Sequence, residues 1–317
     1  MAHQDLKEKC GIIVEKIKTQ LFENRHCIAA YLLGSASHDK LWEWSDIQIA
    51  VILDDGYRGK PCYTLLEDGM CVVLNVYTLT AFKEFTGTMR ADDFMWKAFS
   101  KCTKIFSKDL MLDEWMEDAF YVGDVDRQKE MLLGFSGAVY YLNKAEKNFY
   151  VKENIANTIY FIPMIAENIA WIEIFKNREI PERELIPQGK RINPEIFKKV
   201  YEPLFPEDAW ASPAIQAQTE NSTGILPDLY HKKIKDILEN CVSYLEENTK
   251  LVYQPILSYL EKHGNLEGFR YETRPHGFGI NYEWLVRCGI AERYGIPEKI
   301  PFLKQAERLG YQWKEPV

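Results

Sequence analysis

The sequence lacks a long apolar run. No stretch reaches the roughly 18 residues needed to cross a bilayer. The N-terminal segment MAHQDLKEKCGIIVEKIKTQ is charged and amphipathic, without the apolar centre of a signal peptide. We therefore expect a cytoplasmic protein with no membrane partner.

Paired cysteines and excess positive charge are also missing. The seven cysteines are scattered singly along 317 residues, which is neither a zinc-ligand spacing nor a disulfide framework. The 39 Lys and Arg are outnumbered by 47 Asp and Glu, giving a net charge of −8. Because nonspecific nucleic-acid binding requires a basic surface, the composition argues against it for the whole molecule.

An apolar content of 46% with 27% charged residues is that of a globular protein long enough for two or three domains. The first part of the chain mixes helical and strand periodicities. An amphipathic helix is predicted over 3–23 and another helix over 80–99; strands are predicted over 28–33, 46–53, 71–78 and 103–106. The fold class is therefore predicted as α+β, with a mixed-sheet domain over residues 1–115.

The rest of the chain is predicted to be mostly helical. Long helical patterns over 127–147 and 152–176 indicate a helical domain spanning residues 116–249. Asn193 is a good N-cap before Pro194 at the first position of a helix. The segment 250–317 resembles a winged helix, with its second helix over 280–288.

Two short motifs carry the chemistry. Gly34-Ser35 follows the first predicted strand, on a turn expected to open a helix whose backbone N–H groups could receive phosphate oxygens. After nine intervening residues, Ser45-Asp46-Ile47 opens the second strand, where side-chain alternation places Asp46 and Gln48 on one face. The third strand offers Val73 and Asn75 to the equivalent face.

In this order the residues resemble those of the polymerase-β-like nucleotidyltransferases over residues 25–110. The resemblance is closest to aminoglycoside nucleotidyltransferases and to uncharacterised bacterial nucleotidyltransferase-like proteins. It implies that Gly34, Ser35, Gln48 and Asn75 bind a nucleoside triphosphate, and that Asp46 is the catalytic residue and the ligand of a Mg²⁺ delivered with the nucleotide. It also implies acids on the next two metal-facing positions, where this chain has Gln48 and either Val73 or Asn75.

The leading hypothesis is a nucleotidyltransferase-fold protein with little or no transferase activity that binds a nucleotide in a regulatory or scaffold role. Gln48 and Asn75 cannot ionise, so a two-metal clamp would lack two of its three carboxylates. Trp42 and Trp44, close to the motif, could stack on a base or pack as core.

Two alternatives stay open. The first is an active enzyme that transfers a nucleoside monophosphate to the hydroxyl of an unknown small-molecule acceptor, with Glu167 or Glu173 of the helical domain as the base. The second is a ligand-sensing DNA-binding regulator that reads DNA with helix 280–288 and Arg287. Residues 250–317 carry ten Lys and Arg against eight Asp and Glu, so the sequence favours packing, including homodimer formation, over DNA binding. A solvated basic turn is predicted over 187–194.

Overall fold

The computed structural model describes residues 3–38, 41–89, 93–205, 225–263, 284 and 287–288. The chain divides into two compact units, Met1–Val122 with Ile180–Arg183, and Gly123–Glu179 with Glu184–Val317. The first unit combines a sheet with helices and the second is helical where it is described. The predicted α+β class is confirmed, whereas the bounds of the three predicted domains stay predictions.

The first unit alternates helices and strands along the chain. Its elements are α1 (His3–Glu23), β1 (Cys27–Leu33), a 3₁₀ turn (Gly34–His38), β2 (Ile47–Leu53), β3 (Cys62–Glu67), β4 (Met70–Thr78), α2 (Leu79–Thr88), α3 (Phe94–Ser100), β5 (Thr103–Ser107) and α4 (Leu110–Ala119).

The five strands form one mixed sheet in the order β3-β4-β2-β1-β5. β2 pairs with β4 in parallel, and the other three pairings are antiparallel. Strand β3 is missing from the sequence prediction because five of its six side chains are exposed, so CYTLLE shows no alternation of buried and exposed positions. The single helix predicted over 80–99 is also wrong: a poor helix-forming stretch at Gly87 and Thr88 ends α2, and α3 begins after Asp93.

The two faces of this sheet are covered differently. On one face Ile47, Ile49 and Val51 belong to a buried core with Ile13 and Ile17 of α1. On the other face helix α2 covers part of the sheet, where the ring of Phe82 stacks parallel to that of Tyr31 with centroids 6.3 Å apart. The remaining part of this second face carries the polar residues predicted to form the site.

The second unit is built from helices in its described residues. They are α5 (Asp124–Glu146), a π-helical turn (Lys147–Val151), α6 (Ile155–Lys176), α7 (Leu185–Ile192), α8 (Pro194–Val200), a 3₁₀ turn (Glu202–Leu204), α9 (Ile225–Val252) and α10 (Gln254–His263).

Helices α5 and α6 pack closely because glycines remove side chains from their interface. A Cβ atom on Gly137 would lie 2.1 Å from Oδ1 of Asn168. The expectation that no stretch is long and apolar enough to cross a membrane is wrong for α6, which of the described helices alone passes by length and composition. However, 61% of its most apolar window is buried inside the protein. Burial of this kind is what a core helix shows, so the length of α6 is weak evidence for a membrane span.

The motif predicted at the start of α8 is confirmed. Oδ1 of Asn193 accepts a hydrogen bond from the backbone N–H of Ile196, and Pro194 is the first helical residue. The basic turn predicted over 187–194 is wrong, since most of this segment forms α7. Gly189 is buried there against Phe197, and Lys190 forms an ion pair with Glu202 at 2.7 Å.

Most of the predicted winged helix, including all but three residues of its second helix 280–288, lies outside the described residues. Trp284 is buried and donates a hydrogen bond from Nε1 to Oγ1 of Thr249. Arg287 forms two hydrogen bonds of 3.1 Å to the carboxylate of Glu146. The side chain proposed to read DNA is therefore held by an acid of its own unit.

Candidate functional site

The Gly-Ser motif lies beside the start of β2. Leu33, the last residue of β1, pairs with Gln48, so Gly34 and Ser35 leave β1 at the level where Asp46 leads into β2. Gly34 has a φ of 69°, a left-handed conformation that glycine adopts without strain. The structure therefore brings both halves of the motif to one end of the sheet.

The segment after the glycine differs from the expected helix opening. Gly34–His38 is an isolated five-residue 3₁₀ turn, in which the Ser37 hydroxyl donates a hydrogen bond to the carbonyl of Gly34 at 2.8 Å. One such turn aligns few peptide dipoles, so it offers a phosphate much less than the N-terminus of an α-helix. The predicted opening of an α-helix at this turn is wrong, while phosphate binding by Gly34 and Ser35 stays a prediction.

The strand register shows which predicted residues share a face. Gln48 pairs with Val73 of β4, and Ala50 pairs with Asn75. Paired residues point to the same side of a sheet, so Gln48, Val73 and Asn75 lie on one face. That face is opposite the core covered by α1.

Asp46 and Gln48 are joined directly. Nε2 of Gln48 donates a hydrogen bond of 2.9 Å to Oδ2 of Asp46. Both residues are half-buried. The amide thus occupies one carboxylate oxygen and fixes the orientation of the carboxylate, while Oδ1 can accept a further donor.

These residues do not fit a resident magnesium centre. Magnesium in a two-metal site requires several oxygen ligands, and carboxylates normally supply the charge. In the described part of the chain, no group of three or more His, Cys, Asp or Glu side chains is arranged to hold a metal. Gln48 approaches Asp46 with an N–H donor, where a second metal ligand would present an oxygen.

Three further acids, Asp54 of the first unit and Glu167 and Glu173 of the second, are engaged elsewhere or exposed. Asp54 is bonded to His26, and this hydrogen bond lowers the pKa of the Asp54 carboxyl. Glu173 is buried in the second unit, where it accepts a hydrogen bond from the Tyr244 hydroxyl. Glu167 is exposed on the same helix as Glu173. The expectation that Glu173 acts as a base is therefore opposed by its partners.

The two tryptophans before Asp46 are not core residues. Trp42 is 61% exposed and Trp44 is 76% exposed. The turn that carries them is held by a hydrogen bond from the backbone N–H of Ser45 to the carbonyl of Trp42, and by one from the N–H of Trp42 to Oγ of Ser45. Core packing is wrong for both residues, while stacking on a base stays a prediction.

Sequence reasoning passed over Tyr31, which lies in the same row of the sheet as Ala50 and Asn75. Its hydroxyl is buried without a hydrogen-bond partner, and burial, followed by the nearby Asp113 carboxylate, raises its pKa far above the usual range. In the sequence, Tyr31 stands out only as a phenol inside the apolar strand CIAAYLL. The alternation of side chains along a strand does not show whether such a residue packs in the core or belongs to a site.

Comparison with known proteins finds similarity to solved structures. No protein family and no curated protein matches the sequence. The fold is similar to a nucleotidyltransferase-like protein from Exiguobacterium sibiricum 255-15, with a TM-score of 0.48 and 12% identity over 98% of this chain and 96% of that chain. Because the TM-score is below 0.5, we assign the chain to no family on this basis.

Proposed function

We propose that the first unit is a nucleotidyltransferase-like domain that binds a nucleotide without transferring it, in a regulatory or scaffold role. The order of the motifs supports this, as does the register that brings Gly34, Ser35 and Asp46 to one end of the sheet. The observation that carries the proposal is the hydrogen bond from Gln48 to Asp46, because an amide donor stands where transfer chemistry would need a second carboxylate.

Each residue has a binding role that needs no ionisation change. The hydroxyl of Ser35 can donate to a ligand oxygen, and Oδ1 of Asp46 can accept a ribose hydroxyl. The amide of Asn75 offers both donors and an acceptor, which suits the edge of a base. A half-buried carboxylate with a fixed orientation binds a hydroxyl at little conformational cost.

Transfer is disfavoured by the same groups. An in-line displacement at phosphorus depends on electrostatic stabilisation of the attacking and leaving oxygens, usually by two metal ions. Gln48, Val73 and Asn75 supply no negative charge to hold such ions. General-base assistance is typically worth about 10²- to 10⁴-fold in rate. Of the residues predicted to form the site, Asp46 alone could supply it.

The test is thermal and chemical unfolding of the full chain with each of the four common ribonucleotides, beside a sensitive assay for pyrophosphate release. At a ligand concentration of 100 times the Kd, binding should raise the free energy of unfolding by about 2.7 kcal/mol. Asp46→Ala should abolish this gain. Stabilisation by none of the ligands, or release of pyrophosphate by the wild-type chain, would contradict the proposal.

A further inference from the structure

The charges on the site face raise the question of which part of a nucleotide is recognised. A nucleoside triphosphate brings several negative charges, which metal-dependent sites neutralise with bound cations. Here the donor set does not fit such a centre, and Asp46 adds a negative charge. A triphosphate would therefore bring its phosphates close to a carboxylate, and like charges at short distance repel.

No basic side chain on the paired strands of this face is free to compensate. Register places Lys104 of β5 opposite Tyr31, on the same face as Gln48. Its ammonium group is 2.9 Å from Oδ2 of Asp113, which uses its charge within the protein. The other residues paired on this face are neutral, among them Ala50, Val73, Asn75, Cys62 and Thr64.

The neutral hydrogen-bonding groups, by contrast, match the uncharged part of a nucleotide. Gln48 occupies Oδ2 of Asp46 and leaves Oδ1 for a donor such as a ribose hydroxyl. Gln48 keeps its own Oε1 as an acceptor, and Asn75 carries a complete amide. The exposed indoles of Trp42 and Trp44, in the turn just before Asp46, are flat surfaces on which a base can stack.

We propose that the preferred ligand is an uncharged nucleoside bound without a metal, and that affinity falls as phosphates are added. This rests on the proposed function, since it takes the site at Asp46 to be the nucleotide site and names which part of the nucleotide is bound. In this account Gln48 is a positioning residue that fixes the Asp46 carboxylate, and Asp46 discriminates against phosphates.

The experiment is calorimetric titration of the full chain with the four ribonucleosides and their mono- and triphosphates, first in EDTA and then in excess magnesium. The best nucleoside should bind at least about tenfold more tightly than its triphosphate in EDTA, as expected for like-charge repulsion at a partly desolvated carboxylate. Magnesium should change the nucleoside Kd by less than about twofold.

Two variants sharpen the test. Asp46→Asn keeps the shape and removes the charge, so the ratio of triphosphate Kd to nucleoside Kd should fall by about tenfold. Glu8→Gln removes one charge from an exposed position on α1, the helix that covers the opposite face, and should leave that ratio unchanged. Melting temperatures and circular dichroism establish that both variants are folded.

The outcomes separate the two proposals. Tighter binding of a triphosphate in magnesium than of any nucleoside would overturn the nucleoside inference and leave nucleotide binding intact. Binding by none of the ligands would overturn both. An unchanged ratio in Asp46→Asn would show that Asp46 does not set phosphate discrimination, which also overturns the inference.

Discussion

Two carboxylates in this molecule, those of Asp46 and Glu173, differ in their burial and in the number of their hydrogen-bond partners. In the first unit, Asp46 is half-buried and receives one side-chain hydrogen bond, from Gln48. In the second unit, Glu173 is 2% exposed, receives a hydrogen bond of 2.7 Å from the Tyr244 hydroxyl and lies 3.2 Å from the ammonium group of Lys176. The Asp46 carboxylate is thus half-buried, while the Glu173 carboxylate is enclosed by the protein.

The difference separates an acid that stabilises the fold from the acid that we propose binds a ligand. Lys176 also donates to Oδ1 of Asn248 at 3.0 Å, and Asn248 donates to the carbonyl of Tyr244, so the cluster links α6 to α9. A buried carboxylate that keeps a hydroxyl donor and a cationic partner contributes to stability, because these contacts offset the cost of burying its charge. An acid with a spare acceptor at the end of a sheet contributes little to folding and can bind a ligand.

The largest expected effect is on the second unit. Glu173→Ala should lower the free energy of unfolding by about 3 kcal/mol. The change leaves the buried Tyr244 hydroxyl without its acceptor and removes the carboxylate partner of Lys176. Urea denaturation measures this. Glu167→Ala is the matched control on the exposed side of the same helix and should cost less than about 0.5 kcal/mol. Equal costs for the two variants would contradict the structural role of Glu173.

Alkaline pH should weaken the same cluster. Burial, together with the nearby Glu173 carboxylate, raises the pKa of Tyr244 well above its ordinary value of 10.0. The native state then keeps a proton that the unfolded chain loses above about pH 10. The stabilisation is complete below that pH and is lost as pH rises toward the folded-state pKa, by up to about 1.4 kcal/mol per pH unit.

Unfolding free energies measured from pH 9 to pH 11 test this titration. In the Tyr244→Phe variant, the free energy of unfolding should fall less steeply with pH than in the wild type. Some pH dependence remains, because burial also raises the pKa of Cys241 to about 12. Identical slopes for wild type and Tyr244→Phe would show that Tyr244 is not the group responsible.

A smaller effect is expected on nucleoside affinity at the proposed site of the first unit. Trp44→Ala should weaken nucleoside binding by about tenfold, since stacking of a base on an aromatic side chain contributes about 1–3 kcal/mol. Calorimetry with the best-binding nucleoside measures the loss. Ile12→Ala, which truncates an exposed side chain on α1, the helix that covers the opposite face, is the control and should leave the Kd unchanged. Full affinity in Trp44→Ala would show that this indole does not bind the base.

The smallest expected effect is the change in the free energy of unfolding when Asp46 is replaced. Asp46→Asn should change the free energy of unfolding by less than about 1 kcal/mol, because the carboxylate is half-buried and loses a single side-chain hydrogen bond. Urea denaturation beside Glu173→Ala makes the comparison direct. A cost as large as that of Glu173→Ala would mean that Asp46 is a structural acid, and the contrast between the two carboxylates would not hold.

Local patterns predicted the sheet where one face is buried. The alternation from Ile47 to Val51 placed Gln48 on the face opposite the core, because burial of one face fixes the register. Strand β3 was not predicted, because it is exposed on both faces and its sequence shows no alternation of apolar and polar residues. The bonding of Glu173 was equally hidden, because its partner Tyr244 is 71 residues away in the sequence, and no local pattern encodes that contact.

The site was predictable only in part for a similar reason. The spacing of Ser35 and Asp46 indicated that two loop ends meet, and the register of β1 with β2 brings them to one end of the sheet. The hydrogen bond between Gln48 and Asp46 depends on side-chain rotamers, which sequence spacing does not determine. It is this bond that argues against a metal and toward neutral ligands.

The most direct test of the central claim is a crystal structure of the full chain grown in EDTA with the tightest-binding nucleoside. The account predicts a ribose hydroxyl on Oδ1 of Asp46, with the amide of Gln48 still bonded to Oδ2. A nucleoside bound away from Asp46, or one that displaces Gln48 from the carboxylate, would contradict it.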